Sequence, residues 1–130
     1  LDKLVSAVEE NFDNHDFFFM HYKDADTKGE DGDFEGKVKA LEAFDQFVPR
    51  IMDLNFDVVV ITGDHSTPAV LSGHSWHPVP LLIYSENIGG DQVQSFSEKE
   101  FLSGQIGSVD SVDIMMLSLA NAGKLKKFEF

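Results

Sequence analysis

Residues 57–68 have the sequence DVVVITGDHSTP, in which an uninterrupted apolar run ends at a polar turn. A short run rich in β-branched residues is typical of a strand that is buried on both faces. Residues 17–22, FFFMHY, have the same character and lead into the acidic stretch of residues 22–37, YKDADTKGEDGDFEGK. A third strand is predicted within residues 79–84, VPLLIY.

Helical patterns lie between and around these strands. Apolar side chains recur at the spacing of one helix face. Ser97 followed by Glu100 has the capping pattern of a helix start. Four helices are predicted, beginning near Leu1, near Asp33 or Phe34, at Ser97, and at Asp110 or Ser111; the second continues through Ile51, and the last ends at Ala122 before Gly123. Alternating helices and buried strands predict the α/β class with a mainly parallel sheet.

Composition limits the possible functions. A chain of 130 residues that is 42% hydrophobic can form one domain, or a piece of one, with a true core. A net charge of -13 repels nucleic acid and anionic membrane surfaces and favours cations. Cysteine is absent, which excludes disulfides and thiolate metal sites. The apolar runs are shorter than the roughly 20 residues of a membrane span.

The acidic stretch and GDHSTP each begin directly after a predicted strand, which places both at the carboxyl edge of the sheet. In open α/β sheets this edge binds ligands, so the acidic stretch and GDHSTP are expected to lie close together. Asp64 and His65 are adjacent, and His74 and His77 follow in the next loop. Carboxylate with imidazole suits zinc, manganese or iron better than calcium. In the alternative interpretation Asp64 caps a turn and the histidines face solvent.

Two other chemistries fit the sequence less well. Residues 24–35 carry much of the EF-hand calcium pattern, but Lys28 and Asp31 stand where a ligand and an apolar residue belong. Ser66 and Ser75 neighbour histidines without the Gly-x-Ser-x-Gly pattern of a nucleophile elbow, so both are expected to be turn residues.

Four ordered strings carry a resemblance to a known family. They are DADTKGEDGDFEGKVKALE (24–42), TGDHSTP (62–68), HSWHPVPLLIY (74–84) and VDIMMLSLANAGKLKKF (112–128). Together they resemble the carboxyl-terminal part of the cofactor-independent phosphoglycerate mutases, archaeal-type branch, in the alkaline phosphatase superfamily. The resemblance implies that residues 1–130 form the end of a metal-binding domain, a sandwich with a mainly parallel sheet. The upstream part of that domain and a substrate-binding insertion are then absent.

The resemblance also implies a reaction. Members interconvert 3-phosphoglycerate and 2-phosphoglycerate, small phosphorylated substrates of glycolysis and gluconeogenesis, in the cytoplasm and without 2,3-bisphosphoglycerate. The isomerisation passes through a phosphoserine at two divalent ions, usually manganese and otherwise zinc, magnesium or cobalt. The nucleophilic serine is expected upstream, so residues 1–130 alone are expected to be inactive.

Ligands follow from the same resemblance. Asp64 and His65 are expected to bind the ion that activates the serine, and Asp26 and His74 the other ion. Glu30 stands where the family motif has a histidine. A carboxylate there favours manganese or magnesium over zinc if it binds. Alternatively, Glu30 points away, and the ion at Asp26 and His74 is bound weakly or not at all.

Two rival functions remain open from the sequence. One is another metal-dependent phosphohydrolase or phosphonate-processing enzyme of the same superfamily, which shares the ligands. The other is a non-catalytic cation-binding module. The chain's single arginine, Arg50, cannot by itself form the phosphate clamp of a mutase.

Overall fold

A computed structural model describes residues 1–125 of the chain. Its α-helices and strands are α1 (Asp2–Asn11), α2 (Asp24–Glu30), α3 (Phe34–Asp45), α4 (Val48–Met52), β1 (Val59–Thr62), β2 (Leu81–Tyr84), α5 (Glu98–Phe101) and α6 (Ile114–Asn121). Short 3₁₀ helices span Phe12–Asn14, Ala69–Leu71 and Ser111–Asp113. The last three residues of the last quoted string, Lys126, Lys127 and Phe128, lie outside the described part. No helix within residues 1–125 has the length and apolar character that crossing a membrane requires.

The chain divides into two compact units. The first comprises Leu1–Asn55 and His65–His77, and the second comprises Phe56–Asp64 and the chain from Pro78 onward. The first unit contains α1 to α4, and the second contains both strands with α5 and α6.

Helix α1 forms where the apolar spacing predicts it. Val5 and Val8 lie one turn apart and are buried, as is Ile51 on α4. Arg50 joins the two helices through a two-nitrogen contact with the Glu9 carboxylate. The same guanidinium donates to Asp2 Oδ1 at 2.7 Å and to Ser6 Oγ at 2.9 Å. Arg50 is therefore committed to holding α4 against α1.

The second predicted helix begins where expected but is not continuous. Asp33 caps α3 by accepting a hydrogen bond from the Gly36 N–H at 2.8 Å. The helix ends at Asp45, and α4 starts separately at Val48. Within a continuous helix, Pro49 could not donate a hydrogen bond to the Asp45 carbonyl, and its ring would collide with that carbonyl. The helix therefore stops at Asp45. The prediction of one helix through Ile51 was therefore wrong.

The predicted strand over residues 17–22 is not formed. Residues 17–22 have no regular structure, and Phe17 and Phe19 are 61% and 80% exposed. A strand requires a partner for its backbone N–H and C=O groups, and within residues 1–125 the only two-stranded ladder joins β1 and β2. Sequence composition alone gave no information about that partner.

The acidic stretch, predicted as a loop, is largely helical. Helix α2 covers Asp24–Glu30 and has Asp24 and Asp26 in its first turn. Carboxylates are favoured there because the amino-terminal end of a helix carries partial positive charge. An EF-hand loop over residues 24–35 is not formed, because its first half is this helix.

The strands β1 and β2 confirm two of the three strand predictions, but their direction differs from the expectation. They pair antiparallel, with Val59 opposite Tyr84 and Thr62 opposite Leu81. Parallel neighbours need a crossover, usually a helix. The only helical element in residues 63–80 is the 3₁₀ turn Ala69–Leu71, and the chain returns antiparallel. The described residues thus form a mixed helix-and-strand structure without a parallel sheet.

The last two helix predictions are confirmed. Ser97 Oγ accepts a hydrogen bond from the Glu100 N–H at 3.3 Å and so caps α5. The 3₁₀ turn at Ser111 leads into α6, and Gly123 follows with a φ of +68°. Glycine adopts this left-handed backbone at a helix end without the steric cost of a Cβ.

Helix α2 approaches the segment around Thr67 very closely at Gly29. A Cβ at position 29 would overlap the Thr67 carbonyl oxygen and lie 3.2 Å from Lys37 Nζ. Gly29 is buried, so α2 can touch this segment only because the residue has no side chain.

Replacing Arg50 by glutamine is expected to lower the thermal midpoint by a few degrees, because glutamine cannot reproduce the two-nitrogen contact with Glu9. Arg50 lowers the pKa of Glu9 below its usual 4.5, so this stabilisation is present above pH 4.5 and is lost as pH falls through the lowered pKa. Circular dichroism melts across pH measure both effects. Lys3→Gln, which removes one positive charge from α1, is the control. Equal thermal midpoints at neutral pH for the parent, Arg50→Gln and Lys3→Gln proteins would contradict the role of Arg50.

Replacing Gly29 by alanine is expected to lower the free energy of unfolding. Alanine in a helix normally gains about 1 kcal/mol over glycine. The overlap with the Thr67 carbonyl outweighs this gain, since overpacking costs about 1–3 kcal/mol and here involves backbone.

Urea denaturation measures the change, and Gly73→Ala is the matched control. A Cβ at position 73 meets its nearest atom, the Leu71 carbonyl oxygen, at an ordinary 3.8 Å. A Gly29→Ala protein as stable as the Gly73→Ala protein would show that α2 can shift without cost.

Candidate metal centre

Three predicted ligands lie together in the first unit. Asp26, His65 and His74 each offer one ligand atom, and these atoms lie within 4.8 Å of one another. Asp26 comes from α2, and the histidines come from the segment that follows β1. The sequence predicted this convergence of two clusters about forty residues apart.

A local backbone pairing brings the two histidines together. Ser66 and Ser75 form an isolated antiparallel bridge, in which the Ser75 N–H donates to the Ser66 carbonyl at 2.9 Å. The residues preceding them, His65 and His74, then have ring centroids 4.0 Å apart. Ser66 and Ser75 are therefore β-bridge residues rather than the turn residues that the sequence predicted, because their backbones pair with each other.

Asp26 is held in its ionised form. Lys23 Nζ donates to Asp26 Oδ2 at 2.7 Å, and Thr67 Oγ1 donates to Oδ1 at 2.6 Å. These two hydrogen bonds, the lysine one first, lower the pKa of Asp26 to about 2 against the opposing effect of desolvation. At neutral pH the carboxylate is therefore ready to accept a cation.

Glu30 lies one helical turn after Asp26, on the same face of α2. Its Oε1 is 3.3 Å from His74 Nε2, and the same nitrogen is 3.7 Å from Asp26 Oδ1. The carboxylate that replaces the family histidine therefore lies beside a predicted ligand. Its role as a ligand stays a prediction.

Thr67 was not singled out by the sequence and lies at the middle of this cluster. Besides its bond to Asp26, its hydroxyl oxygen is 3.1 Å from His65 Nδ1. Lys37 Nζ donates to the Thr67 carbonyl at 2.5 Å, which ties the segment to α3. In the sequence, the only feature that could have pointed to these two residues is their place in the quoted strings: Thr67 belongs to TGDHSTP and Lys37 to the first string.

Two other candidate residues do not belong to this three-residue group. Asp64 belongs to the second unit although it directly precedes His65, so its assignment as a ligand stays a prediction. His77 Nδ1 lies 2.7 Å from Ser75 Oγ, and its ring stacks on exposed Trp76 with a centroid separation of 4.9 Å.

The donor set fits a transition-metal ion. It offers one carboxylate and two imidazoles, with a second carboxylate from Glu30 beside them. Manganese, iron and zinc accept mixed oxygen and nitrogen ligands, whereas calcium takes oxygen ligands. The site therefore has the donor atoms to hold a divalent transition-metal ion.

Comparison with known proteins agrees with this chemistry. The profile of the Metalloenzyme superfamily matches residues 1–121. The chain is 48% identical over 124 residues to a protein of Aquifex aeolicus named "Probable 2,3-bisphosphoglycerate-independent phosphoglycerate mutase", covering 95% of this chain and 30% of that protein. A protein of the same name from Thermotoga maritima is 50% identical, with 95% and 31% covered. The chain thus spans about a third of its relatives' length.

A solved structure shows the same fold. The structure of the PH0037 protein from Pyrococcus horikoshii matches with a TM-score of 0.91 at 32% identity, covering 98% of this chain and 39% of that one. The resemblance that the four strings predicted is confirmed by these relatives. With a family profile that extends over residues 1–121, the chain belongs to the Metalloenzyme superfamily.

Proposed function

We propose that this chain provides metal ligands in a 2,3-bisphosphoglycerate-independent phosphoglycerate mutase. The grouping of Asp26, His65 and His74 within a chain about 48% identical to proteins of that name carries the proposal. The enzyme is an isomerase that interconverts 3-phosphoglycerate and 2-phosphoglycerate through a phosphoserine, without 2,3-bisphosphoglycerate. It acts in glycolysis and gluconeogenesis in the cytoplasm.

The proposal assigns the ligands to two divalent ions, with manganese preferred. Asp26 and His74 hold one ion with Glu30, and Asp64 and His65 hold the other. Bound ions lower the pKa of a hydroxyl and stabilise charge on phosphoryl oxygens. Until an ion binds, the Lys23 ammonium 2.7 Å from Asp26 balances the charge of that carboxylate.

The rest of the longer protein completes the fold and the reaction. We propose that residues 1–130 form the carboxyl-terminal part of an alkaline-phosphatase-like sandwich with a mainly parallel sheet. The nucleophilic serine and the phosphate-binding arginines come from outside these residues. The contacts of Arg50 with Asp2, Ser6 and Glu9 support this division, because they commit the chain's single arginine to holding two helices together.

Removing divalent ions from the full-length gene product is expected to lower mutase activity by roughly tenfold or more, because the ions supply electrostatic stabilisation. Adding manganese is expected to restore it. Conversion of 3-phosphoglycerate to 2-phosphoglycerate, coupled to enolase, measures the reaction.

Two comparisons make this experiment specific. The 130-residue chain alone, assayed in the same way, is expected to be inactive. Hydrolysis of a generic phosphate ester is assayed in parallel, because a phosphohydrolase of the same superfamily would hydrolyse the ester and the mutase would not. Full turnover after exhaustive chelation, or ester hydrolysis without mutase activity, would overturn the proposal.

Replacing Glu30 by histidine is expected to shift metal preference from manganese toward zinc, because an imidazole replaces a hard oxygen ligand beside His74. Calorimetric titrations with both ions measure the shift. Glu35→His, at an exposed position in the first turn of α3, is the control for a new surface histidine. Identical titrations for Glu30→His and the parent protein would remove Glu30 from the ligand set.

A further inference from the structure

The buried hydroxyl of Thr67 contacts two of the three clustered ligands. Thr67 is only 4% exposed, so its polar atoms must find partners within the protein. Its oxygen lies 2.6 Å from Asp26 Oδ1 and 3.1 Å from His65 Nδ1. One hydroxyl thus connects a carboxylate to an imidazole.

The hydrogen-bonding capacity of each group fixes the direction of both bonds. A hydroxyl has one proton to donate and two lone pairs to accept with, whereas an ionised carboxylate only accepts. The Thr67 proton must therefore point to Asp26, and the 2.6 Å separation is that of a strong O–H···O⁻ bond. Toward His65 the same oxygen can then only accept, so His65 Nδ1 must carry a proton.

We infer that Thr67 is a positioning residue that sets the tautomer of His65, with the proton on Nδ1 and the lone pair on Nε2. A neutral imidazole that binds a metal needs a bare nitrogen, and the bond made by the other nitrogen decides which one is bare. The inference rests on the proposed metal site and identifies Nε2 of His65 as its ligand atom.

Two neighbouring contacts hold Thr67 in the position that this role needs. Lys37 Nζ donates to its carbonyl oxygen at 2.5 Å, and Gly29 lets α2 approach the same carbonyl. These contacts act on the backbone and leave the hydroxyl for Asp26 and His65.

The tautomer of His65 distinguishes a positioning role of Thr67 from a purely structural one, because only the positioning role makes that tautomer depend on the Thr67 hydroxyl. In the metal-free full-length protein labelled with ¹⁵N-histidine, correlation spectra at alkaline pH show which nitrogen carries the proton. The His65 signals, assigned with His65→Gln, are expected to show a protonated Nδ1, and Thr67→Val is expected to shift them toward the Nε2-protonated form. Thr67→Ser, which keeps the hydroxyl, is expected to retain the parent tautomer. An Nε2-protonated His65 in the parent protein would overturn the inference.

Metal affinity provides the second measurement. Thr67→Val is expected to weaken manganese binding by roughly 10- to 100-fold, as loss of a group that orients a ligand does, while Thr67→Ser stays within about threefold. Thr62→Val is the control: its hydroxyl donates to the Pro80 carbonyl at 2.9 Å, within the second unit.

The two measurements separate the possible failures. Equal manganese affinity for the parent and Thr67→Val proteins would overturn the role of Thr67. A parent protein that binds no manganese would overturn the proposed metal site, while the metal-free spectra would still decide the tautomer. If Thr67→Val does not fold, the parent and Thr67→Ser spectra keep the inference testable.

Discussion

The hydrogen bond from Thr67 to Asp26 joins helix α2 to the segment that carries both histidines. It is possible because Gly29 has no side chain and α2 can therefore touch the Thr67 backbone. Lys37 holds the same backbone from α3. With these contacts in place, three candidate ligands from distant parts of the sequence converge within 4.8 Å. The candidate metal centre thus depends on one close approach between a helix and a short bridged segment.

Charge explains why this arrangement suits a cation. The chain carries a net charge of -13, and Lys23 and Thr67 keep the Asp26 carboxylate ionised at neutral pH. The single arginine is used within the fold, between α1 and α4. Within residues 1–125 the cluster therefore has the charge that favours a cation, but it has no arginine to bind a phosphate. A chain with candidate metal ligands but no arginine available for a phosphate agrees with one that spans about a third of its relatives' length.

Sequence reasoning succeeded where the signal is local. Apolar spacing located α1 and the start of α3, and the capping pattern of Ser97 with Glu100 located α5. It failed where the outcome depends on partners or on a single interruption. Residues 17–22 have strand composition but no ladder partner among the described residues, and Pro49 divides a helix whose apolar spacing continues past it.

From the order of strands and polar clusters, the sequence alone predicted that the acidic stretch and GDHSTP would lie close together. Its four ordered strings carried the resemblance that implied the superfamily and the pairing of Asp26 with His74. Packing in three dimensions was needed to show that Glu30 lies beside His74 and that the buried Thr67 hydroxyl lies between Asp26 and His65. The reason is physical: a hydrogen bond depends on distances of a few tenths of an ångström, and packing sets those distances.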